Sequence, residues 1–246
     1  MKMMPRGPFE KSLRSPRGVL WRRPTALFLY PALRAVSPYT MVWHEALMQM
    51  HDLIKKVDAK GVEGAIVETG CWRGGCGAFM SWSSKKNGSN RITWLFDSFE
   101  GLPAPTQKDT EFFAHMRVPD VVAFKEALSS PMEKAKEIAT MMGVADRTRI
   151  VKGWFKDTVP SNKKEIGKIA VLRLDGDLYD STKVVLDELY DQLADNGYVV
   201  IDDYAFEGVR RALYDFFHER GIAPFLEEHV ATEGHKYERT YFRVVK

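Results

Sequence analysis

The sequence predicts an α/β protein built on a doubly wound, Rossmann-like sheet, and three observations predict it. Short apolar runs alternate with helix-length amphipathic segments over most of the 246 residues. That alternation implies a parallel sheet with helices on both faces. The run Ala65-Ile66-Val67 opens into a glycine-rich stretch, Glu68-Thr-Gly-Cys-Trp-Arg-Gly-Gly75, placed where a strand hands over to a helix. Finally, Ile169–Leu174 and Tyr198–Ile201 end in Asp175-Gly-Asp177 and Asp202-Asp203, with one helix-length segment between them. Right-handed crossovers put all parallel strand ends at one edge, where ligands bind in such sheets. Neighbouring strands lie ~4.8 Å apart, so four carboxylates would gather there as a hard, oxygen-rich cation site.

The elements follow in order. Residues 1–39 carry six prolines and most of the excess positive charge, and read as an extended basic arm. Order is expected from about Thr40, giving 40–246 as the folded domain. Leu47, Met50, Leu53, Ile54 and Val57 keep helical spacing, with Gly61 as the stop. A strand at 65–67, a helix over 77–84 and a strand at 91–96 come next. Residues 103–131 are irregular and aromatic. A helix over 132–142 and a strand near 149–151 precede the run ending at Leu174. Ser181 is the expected cap of the following helix, and Asn196-Gly197 its stop. Val209, Leu213, Phe216 and Phe217 mark a last helix before Gly221. Residues 225–230 and 237–245 read as a terminal strand pair turning at Glu233-Gly234.

Composition narrows the function classes. Residues 1–24 hold seven basic side chains against Glu10 alone, whereas the whole chain has a net charge of +3. The folded part is therefore mildly acidic, which argues against a nucleic-acid-binding core. Two cysteines, Cys71 and Cys76, exclude a disulfide framework and leave no zinc spacing. A reduced, cytoplasmic setting is the expectation. No run approaches the ~20 apolar residues that span a bilayer. The six histidines form no pair with metal-ligand spacing, and neither a nucleophile elbow nor a P-loop lysine is present.

The motifs carry the chemistry. The Glu68–Gly75 turn lacks the G-x-G-x-x-G spacing for pyrophosphate. Glu68 at a strand tip suits a ligand bearing a carboxylate and a cation, with free helix N–H groups facing the carboxylate. Asp97, ending the second strand, stands where such folds place an acid on ribose hydroxyls. Among the four acids, Asp175, Asp202 and Asp203 are assigned to a magnesium ion and Asp177 is left to handle a proton. With no compensating base nearby in the sequence, the cluster would repel itself without a cation. A metal-dependent glycosyltransferase using Asp175-Gly-Asp177, or a non-catalytic nucleotide-binding module, stands as the alternative.

Five stretches in order resemble the macrocin O-methyltransferase family. They are Val67–Gly75, Asp97-Ser-Phe-Glu-Gly-Leu-Pro103, Gly153-Trp-Phe-Lys-Asp-Thr158, Leu172-Arg-Leu-Asp-Gly-Asp-Leu-Tyr179 and Gly197-Tyr-Val-Val-Ile-Asp-Asp-Tyr204. The resemblance runs from about Thr40 to the C-terminus; 103–131 and the arm depart from the family pattern. It implies a class I methyltransferase fold of seven strands with the last antiparallel, S-adenosylmethionine and Mg2+ as cofactors, and a hydroxylated small-molecule acceptor such as a sugar or glycoside. Metal ligands are implied at Asp175, Asp202 and Asp203, and a base at Asp177. The residues then placed on the cofactor are Glu68, Thr69, Gly70, Cys71, Trp72, Arg73, Gly74, Gly75, Asp97, Ser98, Trp154 and Asp175. A homo-oligomer is compatible with this reading; nucleic-acid partners and membrane insertion are not expected.

Overall fold

The computed structural model describes residues 25–109, 127–229 and 239–245. Its helices are α1 (Thr25–Val36), α2 (His44–Ala59), α3 (Gly75–Lys86), α4 (Met132–Met141), α5 (Phe155–Ile166), α6 (Tyr179–Leu189) and α7 (Glu207–Arg220). The strands are β1 (Ala65–Thr69), β2 (Thr93–Asp97), β3 (Thr148–Lys152), β4 (Ile169–Leu174), β5 (Leu193–Ile201), β6 (Glu227–His229) and β7 (Arg239–Arg243). They form one seven-stranded sheet in the order β3-β2-β1-β4-β5-β7-β6. β1 to β5 are parallel, and β7 runs antiparallel to both β5 and β6. The order reverses between β1 and β4, so the crevice opens at their C-terminal ends.

Each face of the sheet buries its own core. Helices α1 to α4 pack on one side with Ile66, Tyr198 and Val200. Helices α5 to α7 pack on the other with Val67, Leu172, Leu174, Val199 and Ile201. Strand side chains alternate between faces, so Val67 and Leu172 point one way and Glu68 and Arg173 the other. Glu68 and Arg173 are register partners across β1 and β4. No described helix is long and apolar enough to cross a membrane.

Four expectations are corrected. Order begins before Thr40: α1 occupies part of the presumed arm, and Leu29, Ala32, Leu33 and Val36 bury one helical stripe despite Pro31. Residues 1–24 lie outside the described part, as do the arm's basic side chains counted above. A helix that sequence spacing did not reveal, α5, makes the crossover from β3 to β4, with Pro160 inside it. Ser181 does not cap α6, which starts two residues earlier at Tyr179. Asn196-Gly197 lies inside β5 rather than ending α6, Asn196 taking a left-handed φ of 63°. A left-handed Asn-Gly step inside a strand looks like a helix stop when only residue type is read. The expected turn at Glu233-Gly234 and most of 103–131 lie outside the described residues.

Gly70 shows how tightly the strand ends are joined. Its φ is 87°, and a Cβ there would stand 1.6 Å from the carbonyl oxygen of Asp175. The glycine is thus demanded by the neighbouring strand end, not only by a ligand. Gly70→Ala is expected to destabilise the protein by at least ~3 kcal/mol in urea titrations, since both backbone strain and collision oppose it. A loss under ~1 kcal/mol would mean that the two strand ends can separate.

Candidate active site

The C-terminal edge of the sheet holds a cavity of about 520 Å³. It is lined by the turn after β1, by Asp97 and Ser98 at the tip of β2, and by Asp175, Asp177, Asp202 and Asp203. Of the residues assigned to the cofactor, Glu68, Gly70, Cys71, Trp72, Asp97, Ser98, Trp154 and Asp175 line it. Thr69, Arg73, Gly74 and Gly75 do not. Thr69 is buried with its hydroxyl on the Arg173 carbonyl. Arg73 lies over the Trp72 ring and donates to the Pro38 carbonyl. Gly74 is the left-handed residue that starts α3, and a Cβ on Gly75 would strike the Tyr39 carbonyl at 2.6 Å.

The floor is a buried ion network. Arg173, 1 % exposed, sends Nη1 to Glu68 Oε1 at 2.8 Å and to Asp175 Oδ2 at 2.7 Å, and Nη2 to Asp202 Oδ2 at 2.7 Å. This corrects the expectation that the acids have no compensating base. Arg173 sits within the run read as apolar; its signal was an arginine facing Glu68 at the same register position of adjacent strands. Gly77 makes room for the glutamate, because a Cβ there would lie 2.6 Å from Glu68 Oε2. That oxygen is buried without a hydrogen-bond partner, and its residue faces the cavity.

Above the network, Asp175, Asp177 and Asp203 each offer one oxygen, all within 4.8 Å of one another. Asp177 joins this trio, while Asp202 leans on Arg173. The chain turns sharply to achieve it. Asp177 has a left-handed φ of 58°, rare for a residue with a Cβ. Its N–H donates to Asp203 Oδ2 at 3.1 Å, and the Leu178 N–H donates to the Gly176 carbonyl. Asp202 extends the β4–β5 ladder through its N–H to the Leu174 carbonyl. The two consecutive aspartates of β5 therefore diverge, one toward Arg173 and one toward the β4 turn.

The charges are out of balance. Burial first, then the Asp175 and Asp202 carboxylates, holds Asp177 well above the usual carboxylate range. Burial followed by Asp177 and Asp175 does the same to Asp203. Burial pushes Glu68 up to about 7 against the pull of Arg173. Asp97 rises to about 6 through burial, opposed by N–H donors from Phe99 and Trp72, each at 2.7 Å. One guanidinium is too little positive charge to balance this many carboxylates. An all-oxygen trio at this spacing fits a hard divalent ion.

The remaining wall is apolar: Leu102, Pro103, Ala104, Leu128 and Val184, with Met41 and Val42 at the N-terminal side. Trp154 starts α5 and faces the same space. A charged floor beside an apolar wall suits a ligand with a polar, reacting end and a hydrophobic body.

Comparison with known proteins agrees with this geometry. The family model described as Macrocin-O-methyltransferase (TylF) matches residues 31–235. The chain is 37% identical over 192 residues to 8-demethyl-8-(2,3-dimethoxy-alpha-L-rhamnosyl)-tetracenomycin-C 4'-O-methyltransferase of Streptomyces olivaceus, covering 77% of this chain and 72% of that one. It is 32% identical over 194 residues to mycinamicin III 3''-O-methyltransferase of Micromonospora griseorubida, covering 77% and 74%. Among solved structures, the O-methyltransferase NovP superposes with a TM-score of 0.74 at 28% identity, over 85% of this chain and 83% of NovP. With the family model matched over most of the chain and two relatives above 30% identity across most of their length, the chain belongs to the macrocin O-methyltransferase family.

Proposed function

We propose that this O-methyltransferase takes its methyl group from S-adenosylmethionine, works with a bound magnesium ion and methylates a hydroxyl of a sugar or glycosylated natural product. The observation carrying the proposal is that the Asp175–Asp177–Asp203 trio lines one cavity together with Asp97 and the β1 turn. The name of one relative, whose acceptor carries a rhamnosyl group, supports the acceptor class.

The residues fit both absent groups. Glu68 Oε2, buried and unpartnered, is suited to a cationic amino group, and Asp97 retains acceptor capacity on each oxygen for ribose hydroxyls. Asp175 and Asp203, with either Asp202 or Asp177 as the third carboxylate, would hold the ion. When bound, S-adenosylmethionine supplies an electrophilic methyl and magnesium lowers the pKa of an acceptor hydroxyl. Asp177 would accept the proton that the acceptor hydroxyl gives up on methylation. The walls hold the two reactants together and exclude water, which turns an encounter into an oriented reaction. Arg173 keeps Asp175 and Asp202 in place beneath.

Calorimetry with S-adenosylmethionine, before and after EDTA dialysis, together with mass spectrometry of rhamnosyl glycosides, tests the reading. Donor binding and a gain of one methyl group are expected, with turnover falling about 100-fold or more after EDTA and returning with Mg2+. EDTA-insensitive turnover would remove the ion; failure to bind the donor would remove the whole proposal.

A further inference from the structure

The carboxylate of Asp109 stands outside everything assigned so far. It ends the 3-10 turn Gln107–Asp109 in the segment after β2, is 2 % exposed, and reaches the cavity lining. Its two oxygens face different parts of the protein. Oδ2 accepts from the Thr106 N–H at 2.9 Å and from the Thr106 hydroxyl at 3.0 Å. Oδ1 accepts from the Tyr179 N–H at 2.7 Å. Tyr179 is the first residue of α6, two after Asp177. The side chain therefore does from a distance what Ser181 was expected to do locally: it satisfies a free N–H at the helix start, where the dipole favours a negative charge.

The contact is built on three sides. A Cβ on Gly208, in the first turn of α7, would lie 2.2 Å from Asp109 Oδ1 and 3.3 Å from the Tyr179 nitrogen. Only a glycine lets α7 approach so closely. The neighbouring Lys108 ammonium sits 3.7 Å from the Tyr179 ring centroid, and the Tyr179 hydroxyl donates to Asp215 Oδ2 at 2.7 Å. The 107–109 turn thus grips α6 and α7 together. Leu102, Pro103 and Ala104, just before it, belong to the apolar wall of the cavity, and Thr106 lines the same space.

We propose that Asp109 is a positioning residue that locks the 102–106 wall to the start of α6, fixing the acceptor's body relative to the Asp175–Asp177 turn. The proposal rests on the methyl-transfer reading above. Asp177 holds a left-handed backbone conformation that its own type does not favour. Asp203 holds the Asp177 N–H directly, and the Asp109–Tyr179 bond anchors the chain two residues further on, at the start of α6. The same carboxylate's second oxygen holds the wall, so one side chain sets the distance between acceptor contact and base.

Two variants separate the two halves. Asp109→Asn keeps an oxygen for Tyr179 but presents an NH2 group to the Thr106 donors; Thr106→Val keeps the N–H contact to Asp109 and removes the hydroxyl's bonds to Asp109 and to the Lys108 N–H. With a rhamnosyl glycoside that wild type methylates, Thr106→Val is expected to raise the acceptor KM about 5- to 10-fold with kcat within twofold. Asp109→Asn is expected to raise KM by at least as much and to lower kcat about 10-fold. Donor affinity by calorimetry should stay within twofold in both, and Asp109→Glu, which keeps the charge, should recover part of kcat. A purely structural role would lower the folded fraction and melting temperature while leaving KM and kcat per folded molecule unchanged, and that result overturns the proposal. So does a parallel loss of donor affinity. Absence of donor binding in wild type would instead strike the methyl-transfer reading, which keeps the two failures distinct.

Discussion

Asp177→Asn is expected to lower kcat about 10²- to 10⁴-fold while S-adenosylmethionine affinity changes less than twofold. The magnitude is that of removing a positioned general base. Asn is nearly isosteric and can still donate its backbone N–H to Asp203, so the turn is preserved. What disappears is the only function that requires a titrating group. Single-turnover mass spectrometry of product, alongside calorimetry of the donor, checks the expectation. Turnover within fivefold of wild type would show that another group takes the proton.

Arg173→Met is the largest stability effect expected, about 3–5 kcal/mol at pH 8. Methionine fills a comparable volume, but Glu68, Asp175 and Asp202 then face one another without their common cation. The pH dependence has a definite sign. Glu68 has a folded-state value of about 7, above its ordinary 4.5, so the folded protein holds an extra proton between those values. Its contribution is complete below about 4.5 and is lost as pH rises through 7. Removing Arg173 deletes the influence that holds Glu68 down, so this loss extends to still higher pH. The gap between variant and wild type should therefore be widest at pH 8 and shrink toward pH 5. Urea titrations of metal-free protein at three pH values measure it. A gap below ~1 kcal/mol at pH 8 would show that the acids do not depend on this guanidinium. Arg173→Lys should fall between the two, because an ammonium lacks the fork that reaches several carboxylates at once.

Much of this arrangement was legible in the chain and some was not. Runs such as Ile169–Leu174 carry their structure locally, because β-branched and aliphatic residues with a turn at the end have few alternatives to a buried strand. The acidic tips follow from parallel topology, which places all strand ends together. Helix α5 stayed hidden because its sequence, with Pro160 and only two buried residues, has little apolar face. Arg173 was passed over inside a run read as apolar when it is the centre of the floor. The cue was present in register: Glu68 and Arg173 occupy facing positions on adjacent strands. The division of labour between Asp202 and Asp203 depends on which face each side chain takes after the strand ends, and residue type does not fix that.

By itself the sequence determined the α/β class, the family motifs and the convergence of four aspartates at one sheet edge. These depend on periodicity and on the fixed handedness of crossovers, both properties of short stretches of chain. Only the tertiary structure decided that Arg173 underlies the acids, that Asp177 turns to join Asp175 and Asp203, and that Asp109 caps a helix 70 residues further on. A hydrogen bond or ion pair between distant segments exists only when packing brings them within about 3 Å, and no local preference encodes such a distance.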